Sequence, residues 1–112
     1  MHIISRTGLV KESRKKRYIQ AAQDLDVWER SARRANWISL ADVRKTYPKA
    51  DGVTIGKRTY TVFNIVANRF RLIVQIVYES QTILFKKVLT HAEYDRGDWK
   101  QSLLDEQREQ AK

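Results

Sequence analysis

Three β-rich stretches in the second half of the chain, Tyr60–Val66, Arg69–Tyr78 and Thr82–Thr90, constrain the fold more than any other feature. A strand turns successive side chains to opposite faces, so alternation separates what is buried from what is presented. In the middle stretch Phe70, Leu72, Val74, Ile76 and Tyr78 share one face, and Arg69, Arg71, Ile73, Gln75 and Val77 share the other. The third puts Ile83, Phe85, Lys87 and Leu89 opposite Leu84, Lys86 and Val88. Asp51-Gly52 and Ile55-Gly56 mark turns around a shorter strand, and His2–Ile4 reads as a brief first one.

The first half is helical in pattern. Ser5 or Thr7 is placed to cap a helix running to about Arg17. From Tyr18 to Asn36 the residues Ala21, Ala22, Leu25, Trp28, Ala32 and Ala35 recur at helical spacing, with Glu29, Arg30, Arg33 and Arg34 mainly opposite. Ser39-Leu40-Ala41-Asp42 is an N-capping pattern for a short helix over Leu40–Thr46, which Tyr47-Pro48 ends. Asp98 to Ala111 predicts a polar terminal helix with Trp99, Leu103 and Leu104 as its apolar anchors. Helices followed by an antiparallel meander imply an α+β fold, with the N-terminal helices packed on one face of a small sheet. A length of 112 residues implies a single domain, residues 1–112.

Charge narrows the partners. Lys and Arg number 22 against 13 Asp and Glu, a net +9. From Arg96 onward Arg96, Lys100, Arg108 and Lys112 balance Asp98, Asp105, Glu106 and Glu109, so the excess lies in residues 1–95. Arg6, Lys11, Arg14, Lys15, Lys16 and Arg17 face only Glu12 near the start. Such a surface suits a polyanion such as RNA, and equally serves as a solvated face. The absence of cysteine excludes disulfides and thiolate metal sites. His2 and His91 alone do not make a multi-histidine site, so no metal or cofactor is expected. The opening residues lack a basic segment followed by an apolar one, and no apolar run reaches membrane-spanning length. A cytoplasmic chain without membrane contact is therefore expected.

A hairpin with Ser80-Gln81 at its tip would pair Val77 with Leu84, Gln75 with Lys86, Ile73 with Val88 and Arg71 with Thr90. Arg71, Gln75 and Lys86 then share a cationic face leading into His91-Ala92-Glu93-Tyr94-Asp95, and the opposite face is apolar apart from Lys87. Cleaving RNA without a metal needs a base for the 2′-OH, an acid for the departing 5′-oxygen and cations on the phosphorane. His91 suits proton transfer near neutrality, Arg71 suits two phosphorane oxygens, and Lys86 adds a point charge. Tyr94 can stack on a base or donate a proton, while Asn64 and Asn68 can orient a ribose or base edge. All but Lys86 also have a structural reading. His91 can be a structural histidine after a strand, Tyr94 a packing aromatic and Asp95 a helix cap. Asn64 and Asn68 can serve turn geometry, Arg69 and Arg71 can pair with carboxylates, and the three tryptophans read as core.

Three segments carry a family resemblance. Trp37-Ile38-Ser39-Leu40-Ala41-Asp42-Val43-Arg44-Lys45-Thr46-Tyr47-Pro48-Lys49-Ala50-Asp51 resembles a stretch of HigB-type toxins in the RelE-like messenger-RNA interferase superfamily. Val62-Phe63-Asn64-Ile65 with Asn68-Arg69-Phe70-Arg71-Leu72-Ile73 is similar to their strand pair, and Thr90-His91-Ala92-Glu93-Tyr94-Asp95 to their terminal signature. The opening His2-Ile3-Ile4-Ser5 is similar too. The similarity spans roughly residues 1–96 in order and spacing, and leaves the helix over 97–112 beyond it. The chain departs from the family over 11–27, where a basic, proline-free run replaces a proline-containing connection. The resemblance implies a RelE-like fold and a type II toxin that cleaves messenger RNA, in many members on the translating ribosome. It also implies a HigA-type helix-turn-helix antitoxin, with operator DNA bound only through the joint complex. Carried over by position, the polar signature falls on Asn64, Asn68, Arg71, His91, Tyr94 and Asp95. With the reading of the residues this makes His91, Arg71 and Tyr94 the catalytic candidates, and Asn64, Asn68, Arg69, Lys86 and Asp95 the RNA-binding ones. The competing readings are a non-catalytic RNA- or ribosome-binding module on the same basic face, and an interaction protein for an acidic partner.

Overall fold

The structure, a computed structural model, describes residues 1–4 and 19–110. The helix expected between Ser5 and Arg17 lies outside the described residues. Along the chain run β1 (His2–Ile4), α1 (Ile19–Arg34), α2 (Leu40–Thr46), β2 (Asp51–Ile55), β3 (Arg58–Ile65), β4 (Phe70–Val77), β5 (Thr82–Thr90), α3 (His91–Arg96) and α4 (Asp98–Gln110). The sheet order is β1-β5-β4-β3-β2. Among the described residues only β1 is parallel to its neighbour, β5; the other pairings are antiparallel. This is the α+β architecture that the strand and helix patterning predicts, and it is consistent with the RelE-like fold that the family resemblance implies.

Apolar spacing explains how the helices sit. Ala21, Leu25, Trp28 and Ala32 of α1 are buried against the sheet. Asp26–Arg30 and Glu29–Arg33 form ion pairs one turn apart on its outer face. Ser39 caps α2, its hydroxyl accepting from the Asp42 amide at 3.3 Å. Together these helices and one sheet face enclose a core around Trp28, Trp37, Phe63, Leu72, Val74 and Ile83. On the other face α4 lays Trp99 and Leu103 over Tyr60, Val62 and Ile73. Each fully buried anchor of this kind contributes on the order of 1.5–3 kcal/mol.

That second core corrects the picture of an open cationic face, because its centre is apolar and covered by α4. The hairpin register is corrected as well. Val77 pairs with Thr82, Gln75 with Leu84, Ile73 with Lys87 and Arg71 with Leu89, with an irregularity between Ile73 and Val74. A bulge adds a residue to one strand and changes which face the following residues occupy. Lys87 and Leu89 consequently share the α4 side of the sheet with Ile73 and Arg71 instead of facing α1.

Candidate active site

At the end of the sheet where β4 begins and β5 finishes, the backbone brings three sequence-distant segments together. The β3–β4 turn carries Asn68 and Arg69, β4 carries Arg71, and α3 starts directly from β5. His91 N donates to the carbonyl of Arg69 at 2.8 Å, tying the start of α3 to that turn. A capping box fixes the same point. The Thr90 hydroxyl accepts from Glu93 N at 3.2 Å, and Glu93 Oε1 accepts from Thr90 N at 3.0 Å. This capping explains why threonine and glutamate flank the histidine. Spacings of three and four residues put His91, Tyr94 and Asp95 on one side of the helix.

Arg71 is the buried cation here, 9% exposed. Its Nη1 donates to the carbonyls of Asn68 at 3.1 Å and Phe70 at 3.2 Å, and its Nη2 to Asn68 Oδ1 at 2.8 Å. These bonds fix the plane of the guanidinium and leave the Nε proton and one Nη2 proton for an anion. Asn64 pairs with Arg71 across the β3–β4 ladder. The Arg71 carbon Cζ lies 5.4 Å from the centroid of the Tyr94 ring, within cation–π range.

His91 Nδ1 lies 2.9 Å from Asp95 Oδ2. In a neutral imidazole this bond puts the proton on Nδ1 and leaves Nε2 as the basic nitrogen. Asp95 thus orients His91 and does not cap the following helix, which is preceded by Gly97 in the left-handed region at φ 80°. Burial raises the Tyr94 phenol above its ordinary value, the carboxylates of Asp51 and Asp95 add to this, and Arg71 opposes it. At neutral pH Tyr94 is a phenol, as an unshifted tyrosine also is, and its hydroxyl can donate.

Of the sequence candidates, Asn64, Asn68, Arg69, Arg71, His91, Tyr94 and Asp95 gather here, Arg69 through its backbone with its side chain exposed. Lys86 is placed elsewhere. Its Nζ pairs with Glu106 of α4 at 2.7 Å, beside a cavity of about 210 Å³ that Gln75 also lines. Asp51 and Trp99 are not among the sequence candidates for the site. Asp51 sits at the start of β2 and adds negative potential at Tyr94, which no local motif signals. Trp99 reads as core, and it is, yet its ring also stacks on Tyr94. Among the described residues no three His, Asp or Glu side chains converge as a metal-ligand group. A larger groove of about 560 Å³ between α1, residues 46–50 and the β3–β4 turn reaches the site only through Asn64 and Asn68.

The family description gives the class, a RelE-like toxin domain, and the five-stranded α+β sheet is consistent with it. The chain belongs to the HigB toxin family, described as the RelE-like toxic component of a toxin–antitoxin system, whose pattern matches residues 21–97. It is similar to the mRNA interferase toxin HigB of Escherichia coli strain K12, with 27% identity over 95 residues, covering 85% of this chain and 88% of the relative. The mRNA interferases HigB of Escherichia coli O157:H7 and Shigella flexneri match to the same extent.

Proposed function

We propose that this chain is an endoribonuclease that cleaves messenger RNA by attack of a ribose 2′-OH on the adjacent phosphate, using side chains alone. The observation that carries the reading is the meeting of an Asp95-oriented His91, a Tyr94 ring set against Arg71 and the pinned Arg71 guanidinium at one sheet end. His91 Nε2 takes the 2′-OH proton as the oxygen attacks phosphorus. Arg71 stabilises the charge on the phosphorane, and Tyr94 gives its proton to the departing 5′-oxygen. The products are a 2′,3′-cyclic phosphate and a 5′-hydroxyl end. Asn64, Asn68 and Arg69 contact the RNA around that phosphate, Asp95 acts on it through His91, and the groove beside Asn64 and Asn68 receives neighbouring nucleotides. Lys86 is left out of this set because Glu106 holds its ammonium.

The names of the relatives support a messenger-RNA substrate, and the family description supports an antitoxin partner. We place the cleavage in the cytoplasm on the translating ribosome, with a HigA-type helix-turn-helix antitoxin as the inhibitor and operator DNA bound through their complex. Inducing the chain without an antitoxin should arrest growth and create new messenger-RNA 5′ ends that vanish when translation is blocked. Ends that persist without translation would remove the ribosome from the reading. Intact RNA would favour a binding module on the same basic face.

A further inference from the structure

Helix α4 follows the stretch that matches the family, residues 21–97, yet its first turn meets the candidate site. Trp99 is 4% exposed, and its ring stacks on Tyr94 with centroids 5.2 Å apart and planes 17° apart. Its indole Nε1 donates to the Tyr94 carbonyl at 3.0 Å. The left-handed Gly97 folds α4 back so that this contact forms, and its own amide donates to the same carbonyl at 3.2 Å. Trp99 is firmly mounted in turn. Leu103 is buried one turn on, and Gln107 Nε2 donates to the Ile55 carbonyl at 2.8 Å and to Tyr60 Oη at 2.9 Å. The Lys86–Glu106 pair ties the same helix to β5.

A tyrosine ring on a short surface helix has freedom in two side-chain torsions, and a stacked neighbour removes most of it. We propose that Trp99 is a positioning residue of the ribonuclease site, holding the Tyr94 ring against Arg71 so that its hydroxyl meets the leaving oxygen. The inference rests on the function proposed above and extends the working site into α4. Misplacing a proton donor by about an ångström costs on the order of a hundredfold in rate. Trp99 therefore acts on the rate of the chemical step and little on RNA binding.

The test is a double-mutant cycle in a translation extract programmed with end-labelled messenger RNA, read as single-turnover cleavage rate and as half-saturating toxin concentration. Trp99→Phe removes the indole donor, and Trp99→Leu removes the stack as well. Each is made in the native chain and with Tyr94→Phe, and thermal melts confirm folding. We expect Trp99→Phe to lower the rate by about tenfold and Trp99→Leu by more, with half-saturation little changed and no further loss in the Tyr94→Phe background. Equal losses in both backgrounds would show a structural role only and overturn the proposal, as would a full rate for Trp99→Phe together with Trp99→Leu. Should Trp99→Leu fail to fold, Trp99→Met, which keeps apolar volume without a ring to stack on Tyr94, takes its place in the same cycle. If Tyr94→Phe itself cleaves at the native rate, the role given to Tyr94 is what fails, and the positioning role falls with it.

Discussion

Arg71→Lys keeps the charge and removes the planar fork, which makes it a sharp probe of this site. The guanidinium holds the β3–β4 turn through three hydrogen bonds, to the Asn68 and Phe70 carbonyls and to Asn68 Oδ1. One ammonium nitrogen cannot occupy both guanidinium positions, so part of this set is lost. Hydrogen bonds to a charged group contribute about 1.5–3 kcal/mol each. Asn68 is exposed and water replaces some of the loss, so we expect a net cost of about 2 kcal/mol, the lower part of that range. For a domain of this size that lowers the thermal midpoint by roughly 6–10 °C. The lysine also cannot present two donors to the phosphorane, which should lower the cleavage rate by on the order of a hundredfold. Circular-dichroism melts and cleavage of labelled messenger RNA in a translation extract read the two effects separately. An unchanged midpoint would refute the role of Arg71 in holding the turn. A rate within about threefold of native would refute its role at the phosphate.

Other expectations follow from the same contacts. His91→Ala should abolish toxicity on induction while moving the melting midpoint by no more than about 2 °C, because the side chain is half-exposed and its pair with Asp95 lies at the surface; retained toxicity would remove His91 from the chemistry. The raised Tyr94 phenol gives an alkaline signature. In the unfolded chain tyrosine ionises near its ordinary value while the folded form holds its proton, so stability is full below that value and falls as pH rises through the folded one. Unfolding at pH 9 and above should therefore show a steeper loss in the native chain than in Tyr94→Phe. Gly56→Ala should destabilise by about 1–3 kcal/mol in denaturant unfolding, since φ is 61° and the added carbon would lie 2.7 Å from Gln107 Oε1 and 2.8 Å from Leu104 Cδ2.

Much of this architecture is written locally. The Ser39 cap, the α1 spacing and the three strand runs depend on neighbours in sequence, and each forms within a residue or two of its expected bounds. The register between β4 and β5 is not local. It depends on the turn Tyr78–Gln81, where Gln81 adopts φ 55°, and on the bulge at Ile73/Val74, neither of which alternation alone reveals. That is why Leu89, and not Thr90, lies opposite Arg71. The candidate site was legible where residues stand close together in the chain, as in His91, Tyr94 and Asp95. Asp51 and Trp99 enter it through β2 and α4, by packing that only the assembled sheet brings about.

The most direct measurement is the chemistry of the ends left on messenger RNA cut by the purified chain in a translation extract. Attack by the 2′-OH predicts a 2′,3′-cyclic phosphate upstream and a 5′-hydroxyl downstream, both absent with His91→Ala. A 5′-phosphate opposite a 3′-hydroxyl would mean that water, not the ribose, is the nucleophile, and would contradict the account.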